Sequence, residues 1–349
     1  ILTDLNNYSS NFREELAGDN LDILESETLA LPLNNQAQKW QCVKTLIAHT
    51  WVIYGVAITP DGKNIVSCSE DQTIKIWNLE TGELEKTLIG HTGEVTAIAI
   101  SSDGQRIVSG SSDKKVRLWN LETGEEISII ENFSSECHCI AIHPDKNIIA
   151  LPALYQGKYY SVWVIIKNLD TNENINTQDR KVANVVNIKA IIFARSSPFL
   201  AYENPTGSII IANMNTGKTT RELEIPETSY RFLSLAFSSD GQILASGSAD
   251  NTIILWQPGT GNIIRTLEGH SGGVYSLAIT SDNKILVSGS EDQTIKLWEI
   301  ETAEEICTLT GHTGIIYSIA ISPDNQTIVS GSQDGTIKIW RPLLRCGAS

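Results

Sequence analysis

The fold class that this sequence predicts is all-β: a seven-bladed β-propeller of four-stranded antiparallel blades, closed by an N-terminal strand that completes the last blade. Three observations predict it. A segment of 42 residues recurs, from Trp77 to Trp119 and again from Trp256 to Trp298 to Trp340. Each copy carries turn signals about every ten residues. The first and last copies are incomplete in complementary ways.

The repeat reads GHTGEVTAIAISSDGQRIVSGSSDKKVRLWNLETGE from Gly90, GHSGGVYSLAITSDNKILVSGSEDQTIKLWEIETAE from Gly269 and GHTGIIYSIAISPDNQTIVSGSQDGTIKIW from Gly311. A period of this length suits either paired helices or a propeller blade, so the punctuation has to decide. Turns such as SSDG, GSSDKK and ETGE leave no room for two helices. The runs between them, VTAIAI, RIVSG, VRLW and EISII, are short and alternate between apolar and polar, which is the strand pattern. Four such strands make one blade.

Counted this way, seven copies end their third strands near Trp77, Trp119, Lys167, Ala212, Trp256, Trp298 and Trp340. The last copy stops after TIKIWRP without a fourth strand. The segment WQCVKTLIAH at 40–49 matches the fourth-strand segments ELEKTLIGH and EICTLTGH but has no blade before it. Joining the two closes the ring and leaves neither sheet end open. The expected division is an acidic N-terminal linker or extension at 1–39, the propeller at 40–342 and a C-terminal tail at 343–349. The first of these carries seven acids against two bases, and its NFREEL suits a short helix capped by Asn11 with Glu14 reaching back.

Four residues hold fixed places in each complete copy: His49, Ser67, Asp71 and Trp77; His91, Ser109, Asp113 and Trp119; His270, Ser288, Asp292 and Trp298; His312, Ser330, Asp334 and Trp340. These motifs resemble the Trp-Asp (WD) repeat propellers. The resemblance covers roughly 40–342, strong in copies one, two, six and seven, intermediate in five and poor in three and four. It implies a hydrogen-bonded chain running from Trp through Ser and His to Asp. A buried indole needs an acceptor for its N–H, and the Ser hydroxyl supplies one. Each link contributes about 1 kcal/mol, whereas breaking one strands a buried polar group at about 1–3 kcal/mol. Recurring Ser, His and Asp also suggest hydrolysis, but a nucleophile is needed once and this trio appears four times with Trp attached. The structural reading wins.

Nothing else in the chain reads as catalytic. There is no Gly-rich phosphate loop or kinase motif, and GTGN near Gly261 is a turn between strands. Cys137, His138, Cys139 and His143 in ECHCIAIHPD suggest a metal cluster. In a strand, however, the two thiols point to one face and His138 to the other, so they do not converge on one ion. No cofactor is expected. The net charge of −15 argues against non-specific binding to nucleic acid or anionic lipid. No run of 18 uncharged apolar residues occurs, and the start lacks a signal-peptide pattern. With Ile1 first and Met214 the single methionine, the sequence reads as a fragment or a processed product of a longer chain. The six cysteines are scattered through strand-like segments, which fits a reducing, cytoplasmic compartment.

Function therefore falls to the surface. In the resembling family, positions three and five after the histidine of the Gly-His loop, and the residue before the turn Asp, point to one face, called the top. Here those positions hold Val52, Tyr54 and Glu70; Glu94, Thr96 and Ser112; Arg231 and Leu233; Tyr275 and Glu291; and Ile315, Tyr317 and Gln333, with Trp51 beside them. Aromatic residues and Arg are common interface anchors. The expectation is an aromatic patch edged by Glu70, Glu94 and Glu291, fitted to a basic or amphipathic protein segment; the competing reading is that the aromatics only cap a channel mouth. Copies three and four depart from the pattern, with Phe133 at the His position and about six extra residues in LPALYQGKYYSVW. Placed in a loop, that insertion hangs Tyr155, Tyr159, Tyr160 and Trp163 over the top face.

The reading is a non-enzymatic scaffold or sensor for protein partners. The alternative is a rigid structural or regulatory module of a larger signalling protein. The opening WQCVKTL followed by repeats is similar to bacterial, especially cyanobacterial, propellers attached to signalling kinases or NTPases.

Overall fold

The structure, a computed structural model, describes residues 39–133, 136–156, 160–180, 188–204, 207–216, 218–224 and 231–343. Residues 1–38 of the expected linker 1–39, with its NFREEL helix, and residues 344–349 of the expected tail 343–349 lie outside the described residues, as do Tyr159 and the side chains of Tyr155, Tyr160 and Trp163.

The described residues contain no helix and form seven four-stranded antiparallel sheets. Blade 1 is β2 (Ile53–Ile58), β3 (Asn64–Ser69), β4 (Ile74–Asn78) and β5 (Leu84–Leu88). Blade 2 is β6 (Val95–Ile100), β7 (Arg106–Ser111), β8 (Lys115–Asn120) and β9 (Glu126–Asn132). Blade 3 is β10 (Ala141–Ile142), β11 (Ile148–Gln156), β12 (Tyr160–Asn168) and β13 (Asn174–Arg180). Blade 4 is β14 (Ile191–Phe193), β15 (Phe199–Asn204), β16 (Ser208–Asn213) and β17 (Lys218–Leu223). Blade 5 is β18 (Phe232–Phe237), β19 (Leu244–Ser248), β20 (Ile253–Gln257) and β21 (Asn262–Leu267). Blade 6 is β22 (Val274–Ile279), β23 (Ile285–Ser290), β24 (Ile295–Glu299) and β25 (Glu305–Leu309). Blade 7 joins β26 (Ile316–Ile321), β27 (Ile328–Ser332) and β28 (Thr336–Pro342) to β1 (Trp40–Ile47), which pairs with β28 from Trp40↔Pro342 to Ile47↔Thr336. The N-terminal strand thus closes the ring as the sequence predicts.

In each blade the first strand is an edge, and each of these inner strands packs against the inner strands of the blades before and after it, so together they line the channel. Both faces of a blade are buried by its neighbours. The middle strands are accordingly apolar on both sides: Ile65, Val66 and Cys68 of β3 and Ile74, Ile76 and Trp77 of β4 are all buried. The core lies between blades. Val66, Cys68, Ile74, Ile76 and Leu88 of blade 1 pack with Val95, Ile107 and Trp119 of blade 2, and Val329, Ile337 and Ile339 of blade 7 pack with Ile53, Val56, Ile65 and Trp77 of blade 1. This last cluster makes the closing interface as apolar as the others.

Blades 3 and 4 solve the same packing problem with different residues. Lys167, at the Trp position, buries its stem and places Nζ 2.8 Å from Glu131 Oε2 and 3.1 Å from the Ile130 carbonyl oxygen of blade 2. Ala212 fills the Trp position of blade 4 and is fully buried. Two local expectations are corrected. The strand read through Cys137 and Cys139 shrinks to Ala141–Ile142, because the Cys137 N–H turns toward the Ser111 carbonyl of blade 2. The insertion is a paired hairpin and not an open loop. It lengthens the β11–β12 hairpin, which stays paired from Ile148↔Asn168 to Gln156↔Tyr160.

Candidate functional site

The top face is built on the repeated polar chains. In blade 2, Trp119 Nε1 donates to Ser109 Oγ at 2.8 Å, Ser109 Oγ lies 2.8 Å from His91 Nε2, and His91 Nδ1 lies 2.8 Å from Asp113 Oδ2. The same chain joins Trp77, Ser67, His49 and Asp71, Trp298, Ser288, His270 and Asp292, and Trp340, Ser330, His312 and Asp334. One proton arrangement satisfies every atom. The indole donates to Ser, Ser donates to a neutral imidazole at Nε2, and the imidazole donates from Nδ1 to the carboxylate. Each Asp then closes its own turn, as Asp71 does by accepting from the Thr73 N–H at 3.0 Å and the Thr73 hydroxyl at 2.6 Å.

The electrostatics agree with that arrangement. Burial lowers the pKa of His49, His91 and His270 and keeps them neutral, outweighing the nearby carboxylates. Burial also works against ionisation of Asp292, but hydrogen bonds from Thr294, Ser271 and His270 hold it down at about 2. All four serines are fully buried beneath the indoles, out of reach of any substrate. Blade 5 keeps a shorter version, with Trp256 Nε1 donating to Ser246 Oγ at 2.8 Å.

These chains fix the loops from which the inner strands start, and there a second regularity appears. In blades 1, 2, 5, 6 and 7 the pairing of inner and second strands skips one residue: Tyr54, Thr96, Leu233, Tyr275 and Tyr317. A bulge re-aims the side chain it carries, here at the channel mouth. Blades 6, 7 and 1 are consecutive round the ring, so their three tyrosines meet. The Tyr317 ring centroid lies 5.6 Å from that of Tyr54 and 5.2 Å from that of Tyr275, with interplanar angles of 58° and 79°. The tyrosines are half-buried, and Tyr54 donates to Glu94 Oε2 at 3.2 Å.

The acids stand where the sequence placed them. Burial raises the Tyr54 pKa, with Glu94 and Glu70 adding to it, and burial with Tyr275, Glu291 and Glu70 raises that of Tyr317. Glu70, Glu94 and Glu291 form no ion pair with any described Lys, Arg or His. The mouth therefore presents apolar rings flanked by uncompensated negative charge.

Other expected positions are engaged within the protein. The Thr96 hydroxyl donates to the Cys137 carbonyl of blade 3. Arg231 Nε donates to Glu203 Oε1 at 2.8 Å, and Glu203 Oε2 accepts from the Lys189 N–H at 2.9 Å. Glu291 and Gln333 accept from the backbone N–H groups of Gly273 and Ile315. Trp51 remains open, with 61% of its surface exposed.

Two residues of the mouth were missed in the sequence. Glu203 occupies the place of Glu70, since its N–H bonds the Ala190 carbonyl as that of Glu70 bonds Val52. It is fully buried, and burial raises its pKa against the pull of Arg231. His138 stands 42 residues after Thr96 and lies 3.2 Å from Glu136. It is half-buried, whereas Cys137 and Cys139 are buried. A strict 42-residue count carried through blade 3 finds His138. No such count reaches Glu203, because the extra residues of LPALYQGKYYSVW in blade 3 break the period ahead of it; blade 4 also omits the bulged residue, since Ile191↔Tyr202 is followed at once by Ile192↔Ala201.

Comparison with known proteins bears on the repeat itself. The family described as "WD domain, G-beta repeat" matches residues 40–78, 82–120, 218–257, 261–299 and 303–341. The chain is also similar to a Dictyostelium discoideum protein named "DDB1- and CUL4-associated factor 13", 51% identical over 39 residues, which is 11% of this chain and 9% of that protein. It is similar as well to a Danio rerio protein named "p21-activated protein kinase-interacting protein 1-like", 38% identical over 45 residues, 13% of this chain and 12% of that one. The matched stretch is thus about a tenth of the length of each curated relative. Both matches are about one repeat long, so they support the repeat and leave the likeness to bacterial propellers as an expectation from sequence. The five matched segments span more than half of the sequence, and the chain belongs to the WD domain, G-beta repeat family.

Proposed function

We propose that this propeller is a non-enzymatic interaction module that holds a basic or amphipathic protein segment on its top face, at the channel mouth of blades 6, 7 and 1. The contact of Tyr54, Tyr317 and Tyr275 beside Glu70, Glu94 and Glu291, none of which is in an ion pair with a described residue, carries the reading. Aromatic rings offer large apolar area with little conformational entropy to lose, and their faces attract cations. Carboxylates at the edge favour a positive partner and steer its approach. Propellers of this family generally mediate protein–protein interactions, and the names of the two relatives, an associated factor and an interacting protein, agree with such a role.

The repeated Ser, His and Asp sets support the same reading, because each serine hydroxyl is sealed under an indole. Affinity capture with the purified chain tests the proposal, run beside a Tyr275→Ala/Tyr317→Ala double variant. Loss of captured protein by the variant is expected; equal capture by both rejects this face.

A further inference from the structure

Three large apolar side chains are more exposed than any others among the described residues: Ile47 at 90%, Ile89 at 78% and Trp51 at 61%. They occupy one sector of the ring. Ile47 ends β1 at the top of blade 7, pairing with Thr336, and Ile89 follows β5 at the top of blade 1. Trp51 lies on the connection that crosses from β1, the outer strand of blade 7, to β2, the inner strand of blade 1. That connection is pinned by the Ala48 and His49 N–H groups, which both donate to the Gly335 carbonyl oxygen. Ile47, Trp51 and Tyr54 therefore follow one another from rim to channel.

Among the described residues, a large apolar side chain at this rim position occurs only in this sector. Ile47 and Ile89 stand two residues before His49 and His91, and the same position holds Glu131 before Phe133, Glu268 before His270 and Thr310 before His312. Isolated exposed apolar residues carry no message, but the three most exposed ones fall on the two blades that carry Tyr317 and Tyr54 and on the connection between them.

The geometry points to a bipartite site: a partner segment places a Lys or Arg side chain at the tyrosine mouth and large apolar side chains over Trp51 and between Ile47 and Ile89 at the rim. This deepens the proposed function and rests on it. The occupant follows from charge and distance. Three carboxylates without an ion-pair partner among the described residues flank the inner end, and the outer end is apolar. From β2 to β5 there are three strand spacings, about 14 Å. An extended segment advances about 3.3 Å per residue, so roughly four or five residues separate the cation from the apolar anchor.

A phage-displayed library of random 12-residue peptides, panned on the intact chain, tests the inference. Enriched peptides are expected to carry Lys or Arg four or five residues from a large apolar residue. The Ile47→Glu/Ile89→Glu variant is expected to bind them at least tenfold more weakly. Both residues are mostly exposed, so its melting temperature stays that of the parent. Tyr317→Ala is expected to weaken the same peptides at least tenfold, and bound peptide shifts the emission of Trp51. If the double Glu variant binds within twofold of the parent while Tyr317→Ala does not, the rim half is wrong and the mouth stands. If no peptide is enriched, or neither variant matters, both readings fall.

Discussion

Gly55 and Cys68 face each other across the first two strands of blade 1 and reverse the sizes found in other blades. The corresponding pairs are Ala97↔Gly110, Ser234↔Gly247, Ser276↔Gly289 and Ser318↔Gly331, with the glycine on the second strand. A Cβ on Gly55 would stand 2.8 Å from Cys68 Sγ and 2.7 Å from Ile98 Cγ2, so Gly55→Ala overpacks the interface. The expected cost is about 1–3 kcal/mol. Because the sulfur supplies half of the clash, Gly55→Ala/Cys68→Gly should recover part of the loss, a coupling of about 1 kcal/mol in a double-mutant cycle read by denaturant unfolding. Additive losses would show that the two residues do not compensate each other.

Ser109 accepts from Trp119 and donates to His91, and it is wholly buried. Ser109→Ala leaves the indole N–H and the imidazole Nε2 without partners, at about 1–3 kcal/mol. Thermal melting should show a clear drop, while Ser271→Ala, exposed and bonded to Asp292 only through a backbone N–H that alanine keeps, should melt with the parent.

The same chains make stability depend on pH. Burial lowers the pKa of His49, His91 and His270 in the folded state. The unfolded chain takes up these protons near pH 6.5 and the folded chain only below it, so their contribution is complete above about pH 6.5 and is lost as pH falls from there. The held-down Asp71, Asp113, Asp292 and Asp334 add a second loss below the ordinary carboxylate range. Glu203, raised by burial, has the opposite sign, one group against these three histidines and against His138 and His143, which burial also lowers. Melting temperatures should be level between pH 7 and about 6.5 and fall from there toward pH 5. A level profile down to pH 5 contradicts the neutral-imidazole arrangement.

Lys167 ties blade 3 to blade 2 through Glu131 and the Ile130 carbonyl, with its side chain 8% exposed and that of Glu131 26% exposed. Lys167→Ala removes both contacts and the packed stem, for about 1–3 kcal/mol. Lys167→Met keeps the stem and should recover part of that. Lys284→Ala, at an exposed position without a side-chain partner, should leave the melting point unchanged.

What the sequence disclosed follows from how strictly the blades repeat. Trp77 and Trp119 stand 42 residues apart, as do Trp256, Trp298 and Trp340 in turn, because each indole needs the same serine in the same place, so blade number and closure were legible. The tyrosines were legible for the same reason, as they hold one offset from a histidine. The engagement of Arg231 by Glu203 and of Thr96 by Cys137 was not, because both partners lie in blades where the period breaks. Likewise, the extra residues near Tyr155 read as a loop, since turn residues and a hairpin tip look alike until strand pairing extends through them.

The seam of blade 7 has a mechanical corollary. Trp40 pairs with Pro342, and the Leu343 N–H donates to the Lys39 carbonyl oxygen at 2.7 Å, so the two flanks of the ring leave from one point, at the end of β1 and β28 remote from His49 and Asp334. Tension applied through those flanks loads the antiparallel pair from its open end, where hydrogen bonds perpendicular to the strands give way one after another. Under load the seam unzips before any inner blade is strained.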